Sequence, residues 1–141
     1  MKICICCSLR FPDDAQKVAS ELKKLGHEVL LPNGIENRAV EQPDYDAVAA
    51  KHDDGYDSMR AHFEKIRESD AVLALDFTKN DIENYIGAGV FIEMVYGYSL
   101  RLPIYTLNPL PDIKYINDEL LAISPIVLNG DLSKLAIKHT K

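Results

Sequence analysis

The chain is 141 residues long, 47% hydrophobic, and carries a formal net charge of −6 at pH 7 with a pI near 5.1. That length supports one well-buried domain, expected over residues 1–141, and is too short for two ordinary ones. The acidic balance argues against nucleic acid or an anionic membrane as the main partner, but not against a small anion held at a glycine-rich helix start.

No stretch is apolar enough to cross a membrane, and Met1-Lys2-Ile3-Cys4 enters a strand-like run without signal-peptide organisation, so a cytoplasmic location is expected. Lys2 to Cys7 is a short run of strand-favouring residues bounded by Ser8-Leu9-Arg10-Phe11-Pro12. Asp13 to Leu25 reads as an amphipathic helix, with Ala15, Val18, Ala19, Leu22 and Leu25 on one face. Asp13 and Asp14 occupy its first turn, Lys23 and Lys24 its last, and Gly26 stops it. His27 to Leu31 is a second strand, ended by Pro32. Strand, helix and strand in sequence make a right-handed crossover with parallel strands.

Asn33 to Asp57 is irregular and rich in Asp, Glu, Asn, Pro and Gly, with a helical turn or two expected around Asp44 to His52. A connection this long is more often a binding loop or lid, and Tyr45, Val48 and Tyr56 give it something to bury. Ser58 can cap a helix through about Ser69, with Met59, His62, Phe63 and Ile66 facing inward. Asp70 to Asp76 follows as a strand so continuously apolar that it belongs in the centre of a sheet covered on both faces. A polar loop from Phe77 to Ile86 leads to a helix ending near Leu100. Pro103 to Leu107 is a fourth strand, Tyr115 to Ile123 is helical, Pro125 to Leu128 is a fifth strand, and a last helix runs from Asp131 to about Lys138. Five strands alternating with helices predict a three-layer α/β sandwich with a parallel sheet, most simply in the order 2-1-3-4-5.

Ligands of such sheets bind outside the carboxyl ends of the strands, where the order reverses. That rule gathers Ser8, Leu9 and Arg10 after strand one, Asp76 and Phe77 after strand three, Asn108 after strand four, and the glycine-rich helix start. Within that helix, Gly87-Ala88-Gly89-Val90-Phe91-Ile92-Glu93-Met94-Val95-Tyr96-Gly97-Tyr98, the residues three and four away from Glu93 are Val90, Gly89, Tyr96 and Gly97. None is basic, so the carboxylate has no ion-pair partner on its own helix, and the two glycines leave room for another backbone or a ligand. Most helix glutamates are solvated surface residues; the missing partner and flanking glycines set Glu93 apart.

Other motifs say less. Gly87-x-Gly89 is half a dinucleotide fingerprint, without a strand directly before it and with Ile92 at the third glycine position. There is no phosphate-binding Gly-Lys-Ser or Gly-Lys-Thr loop and no Gly-x-Ser-x-Gly elbow. Asp76 is either an active-site carboxylate or a cap of the loop after its strand, and Arg10 either a phosphate clamp or a solvated arginine. Tyr85, in the loop before the helix, is the tyrosine best placed to stack on a base or sugar. Cys4, Cys6 and Cys7 read as buried, reduced thiols of a core strand. A metal site would need further ligands, and the four histidines show no ligand spacing, so no metal or organic cofactor is expected.

The segment Ser69 to Pro111 resembles the nucleoside 2-deoxyribosyltransferase-like superfamily, whose fold is flavodoxin-like α/β. The matching residues are Ser69-Asp70-Ala71-Val72-Leu73-Ala74-Leu75-Asp76 and then Gly87 through Tyr105; the opening strand followed by Ser8-Leu9-Arg10-Phe11 also fits. The resemblance implies that Glu93 is a nucleophile that attacks the anomeric carbon of a deoxyribose, expels the base and waits as a glycosyl ester. A second base or water then takes the sugar, in the logic of retaining glycosidases. On this reading Asp76 assists in positioning or proton transfer, Ser8 and Arg10 contact sugar or phosphate, Tyr85 contacts base or ribose, and Phe11 and Asn108 are further expected substrate-binding residues. The amides of Gly87 to Gly89 would serve a phosphate. The spacing Gly87-x-Gly89-x-x-x-Glu93 resembles, in addition, the glutamate motif of cytokinin-activating phosphoribohydrolases. The implied partner is a small nucleoside or nucleoside 5′-monophosphate, and the implied assembly a homo-oligomer, dimer or higher. Departures from the transferase pattern are Gly87 and His62 where aspartates stand, and Cys7 and Ser8 in place of a glycine after strand one. A non-catalytic nucleotide-sensing or protein-binding domain on the same fold is the alternative.

Overall fold

A computed structural model describes residues 1–36 and 58–136. Its elements in chain order are β1 (Lys2–Cys6), α1 (Pro12–Lys24), β2 (Glu28–Leu30), the single turn α2 (Asn33–Glu36), α3 (Ser58–Arg67) and β3 (Ala71–Ala74). Then come α4 (Ala88–Ser99), β4 (Ile104–Thr106), α5 (Asn117–Ala122), β5 (Ile126–Val127) and a closing 3-10 helix (Leu132–Ala136). The expected turn around Asp44 to His52, with Tyr45, Val48 and Tyr56, lies outside the described residues.

The five strands form one sheet in the order β2-β1-β3-β4-β5, and every pairing is parallel. This is the expected order. β3 is central, and all four of its residues are buried. Beside it, Ile3 of β1 pairs with Ala71, Cys4 with Val72 and Cys6 with Ala74. Side chains alternate across a pleated strand, so β1 feeds two cores. Ile3, Ile5 and Cys7 join Ala15, Val18 and Leu22 of α1 on one face, with Leu73, Tyr105 and Leu135. Cys4 and Cys6 face the other way, with Ile66 of α3, Met94 of α4, Val72 and Ile104.

Helix α1 begins with Pro12 and carries Asp13 and Asp14 in its first turn and Lys23 and Lys24 in its last, the arrangement its dipole favours. Gly26 follows at φ +94°, a left-handed position that a side chain would strain. Two residues assigned inward by periodicity are exposed. Leu25 is the C-cap residue, already off the helical face, and Met59 lies in the first turn of α3 beyond the reach of the sheet. The region expected to be helical from Tyr115 is shorter at its start, because the Asn117 side chain bonds back to Ile113 N–H at 2.9 Å and to Asp112 at 2.8 Å. The closing helix is 3-10, its first turn tied by Asp131 Oδ1 accepting from the Ser133 amide at 3.0 Å; Lys138 lies outside the described residues.

The two glycines flanking Glu93 have different physics. A Cβ on Gly97 would lie 2.6 Å from Val72 Cγ2 and 3.1 Å from Ile104 Cδ1, whereas one on Gly89 would meet nothing within 4 Å. Gly97 is what lets α4 lie against the sheet. Val72 is a stiff, β-branched residue on the central strand and cannot yield. Gly97→Ala is therefore expected to cost about 1–3 kcal/mol in urea denaturation. Gly89→Ala should be neutral or stabilising by up to roughly 1 kcal/mol through helix propensity.

Candidate active site

β1 and β3 are neighbours whose chains leave the sheet in opposite directions, so their carboxyl ends flank the switch point. After β1, the Ser8 hydroxyl accepts the Arg10 amide at 3.2 Å and the Ser8 carbonyl accepts that of Phe11 at 3.3 Å, closing a tight turn. The turn delivers the Phe11 ring to Phe77, 5.3 Å between centroids and tilted by 58°. Phe77 directly follows Asp76, so the loops after the two strands are packed together. Arg10 is exposed at the rim.

Asp76 is fully buried. The Asn108 amide donates to its Oδ1 at 2.8 Å, and Asn108 Nδ2 donates to its carbonyl at 3.0 Å, tying the end of β3 to the residue after β4. Its Oδ2 has no partner among the described residues. Burial pushes the carboxyl up to about 7, against the opposing pull of the bonds from Asn108 and its neighbours. Two predicted site residues thus hold each other, with Asn108 half-exposed above a buried carboxyl.

Helix α4 starts after Gly87, which has extended backbone and provides no side-chain cap. Its first amides are left to whatever approaches them. The Tyr85 ring covers Gly87, where a Cβ would come within 3.3 Å of it, and Lys79 Nζ stands 5.4 Å from the ring centroid. Gly89 opens on space.

Glu93 lies one turn further along. Its partner is on the neighbouring helix: Oε2 is 3.9 Å from His62 Nε2 of α3, and the glutamate side chain is 17% exposed. The same Nε2 lies 3.5 Å from Cys4 Sγ and 3.4 Å from Cys6 Sγ. Burial raises the Glu93 carboxyl to about 7, and His62 opposes the rise. Burial acts against charge on His62, but the adjoining Cys4 and Glu93 outweigh it and raise its pKa. The Cys4 thiol is held down at about 6 by its hydrogen bond with Cys6, assisted by His62 and opposed by burial. Cys6 is pushed well above the ordinary thiol range by burial, and Cys7, on the opposite face, to about 12 for the same reason.

The sequence reading brought Glu93 forward but took His62 for an inward-facing residue of α3 and the cysteines for plain core. Two cysteines at i and i+2 must share a strand face, which the sequence does display. The helix residue that would face them depends on how α3 crosses the sheet, which no spacing reveals.

No known family model matches the sequence, and no curated protein matches it either. Solved structures do match. The 2-deoxyribosyltransferase of Bacillus psychrosaccharolyticus aligns over 100% of both chains at 19% identity with a TM-score of 0.57. The CMP N-glycosidase BcmB of Clostridium botulinum aligns over 97% of this chain and 100% of its own at 17% identity, with a TM-score of 0.52. The chain folds as they do. No helix among the described residues is long and apolar enough to cross a membrane.

The buried Asp76 carboxyl carries a pH signature. Its folded pKa lies above the ordinary aspartate value of 3.8, so the unfolded chain binds fewer protons between about pH 4 and pH 7. Its contribution to stability is therefore most favourable at acid pH, declines as pH rises through that window, and is constant above it. Asn at 76 keeps an acceptor for Asn108 and cannot ionise. Asp76→Asn should raise Tm at pH 8 by several degrees more than at pH 5, measured by differential scanning fluorimetry; each kcal/mol is worth roughly 2–8 °C in a domain of this size.

Proposed function

We propose that this chain is a single-domain, divergent member of the nucleoside 2-deoxyribosyltransferase-like superfamily that breaks the N-glycosidic bond of deoxynucleosides or their 5′-monophosphates. The observation that carries the reading is Glu93 itself. It is a largely buried carboxyl on a glycine-opened helix, beside the switch between β1 and β3, on a fold shared with a deoxyribosyltransferase and an N-glycosidase.

In this reading a Glu93 oxygen attacks the anomeric carbon. The carbon–nitrogen bond breaks, its electron pair leaves with the base, and the base takes up a proton. The glycosyl ester that remains is opened by water or by a second base, which returns the free carboxylate. His62, 3.9 Å from the carboxylate, is a positioning residue that favours its ionised form against burial. The uncapped amides from Gly87 to Gly89 suit a phosphate or the sugar hydroxyls. Tyr85 lies beside them for the base or ribose, and Ser8, Arg10 and Phe11 form the opposite rim. Asp76 acts through Asn108, whose exposed side it fixes.

The test is chromatography of free base from deoxynucleosides and their 5′-monophosphates, with and without an acceptor base. Wild type should release or exchange a base, and Glu93→Ala should lose at least about 10³-fold in rate while remaining folded. Dependence on the acceptor separates transfer from hydrolysis. A folded wild type that is silent across the panel would overturn the reading, and thermal stabilisation by a nucleotide without turnover would then favour a binding domain.

A homo-oligomer is part of the same proposal. Helix α4 buries Met94 and Gly97 against the sheet, yet Ile92, Val95 and Tyr98 on its outer side are exposed. A helix apolar on every side calls for cover, and a second copy of the chain supplies it. Light scattering should give a dimer or larger for wild type and a smaller species for Ile92→Asp/Val95→Asp. A monomeric wild type would reject this part.

A further inference from the structure

Cys4, Cys6 and His62 lie within the fold, each buried, and their donor atoms all fall within 4.8 Å of one another. A single hydrogen bond from His62 Nε2 does not account for both sulfur contacts. An imidazole Nε2 offers one lone pair or one N–H, so it can serve one neighbour in line. Here two sulfurs approach it at 3.5 and 3.4 Å, and Glu93 Oε2 stands at 3.9 Å. Two thiols and an imidazole therefore converge where one hydrogen bond from Nε2 leaves the sulfurs competing, and the Glu93 carboxylate stands beside the imidazole.

The separations match a different organisation. A tetrahedral zinc ion with bonds of about 2.3 Å to sulfur and 2.0–2.1 Å to nitrogen holds its sulfur and nitrogen ligands about 3.5 Å apart. The two observed sulfur-to-nitrogen distances, 3.5 and 3.4 Å, lie at or just under that edge. The donor set, two thiolates and an imidazole with a carboxylate beside them, suits a borderline-soft divalent ion and is poorly suited to magnesium or calcium. The scaffold is rigid as well: both cysteines sit on β1 between β2 and β3, and His62 is buried on α3.

We propose that Cys4, Cys6 and His62 bind a divalent ion of the zinc class, with Glu93, which stands beside His62 outside the three-donor cluster, turning in as its fourth ligand. The coordinating thiols give up their protons to solvent as the ion enters. Because a carboxylate bound to the ion cannot also attack an anomeric carbon, occupancy and glycosyl chemistry exclude each other. That last consequence rests on the function proposed above; the binding itself does not. The sequence expectation of no metal followed histidine spacing along the chain, which does not register a ligand set assembled across the sheet.

The experiment is a titration of reduced, chelator-treated protein with cobalt(II), followed by displacement with zinc. Wild type should bind one ion per chain and show thiolate-to-cobalt charge transfer in the near ultraviolet with tetrahedral d–d bands. Cys6→Ser and His62→Ala should weaken binding by at least about 10²-fold, and Glu93→Gln should weaken it by about 10-fold and alter the d–d bands. Cys7→Ser, on the opposite face of β1, should bind as wild type does. A folded wild type without the charge-transfer band overturns the site, whether or not any core variant folds. Equal loss in Cys7→Ser overturns the ligand assignment, and an unchanged spectrum in Glu93→Gln overturns the fourth ligand. In the base-release assay, zinc should abolish turnover and chelator restore it. Metal binding without any base release would reject the glycosidic reading alone, and base release without metal binding would reject this site alone.

Discussion

Strand β1 is packed between two strands and under helices on both sides, and that confinement decides most of what surrounds the candidate site. A strand buried on both faces cannot choose which residues to hide; the pleat sends alternate side chains to opposite cores. Ile3, Ile5 and Cys7 go to the core beneath α1, and Cys4 and Cys6 go to the core beneath α3 and α4. The second pair is compact, polarisable and able to ionise. The helices above it therefore need not be uniformly apolar where they cross β1, and His62 and Glu93 occupy that crossing.

How deeply Glu93 sits depends on a separate contact. Gly97 removes the one side-chain atom that would hold α4 away from Val72 and Ile104. One turn before it on the same helix is Glu93, so close packing at Gly97 lowers the carboxyl toward β1 as well. A buried carboxylate without a partner is expensive, and the pKa rises accordingly. His62 limits that rise. Packing on one turn of α4 and electrostatics on the next are thus consequences of one helix-to-sheet distance.

The sheet order, the parallel pairing and the central position of β3 were legible because apolar runs and helical periods alternate cleanly along this chain. So was the isolation of Glu93 on its own helix, which follows from identities at i±3 and i±4. The meaning of its two flanking glycines was not. Both looked like openings, yet Gly97 is filled by Val72 while Gly89 is open, and only the crossing of α4 over β3 distinguishes them. The sulfur partners of His62 were hidden for the same reason. Its helical face was visible, but the chain separation from Cys4 and Cys6 hides a contact made through tertiary packing. Leu25 and Met59 show the reverse limit: a periodic pattern runs past the point where the helix still has a sheet to cover.

The histidine gives the departures from the transferase pattern a physical sense. The resemblance sets His62 where those enzymes carry an aspartate, and a second carboxylate this close to Glu93 would raise its pKa by like-charge repulsion on top of burial. A histidine at the same place reverses the sign of that interaction. The histidine then limits the rise that burial imposes on the Glu93 carboxyl, with no basic residue on α4. It also sets an imidazole among sulfurs, which an aspartate would not do, so the residue that eases ionisation of Glu93 is also a donor of the proposed metal site. The proposed nucleophile and the proposed metal site thus depend on one and the same side chain.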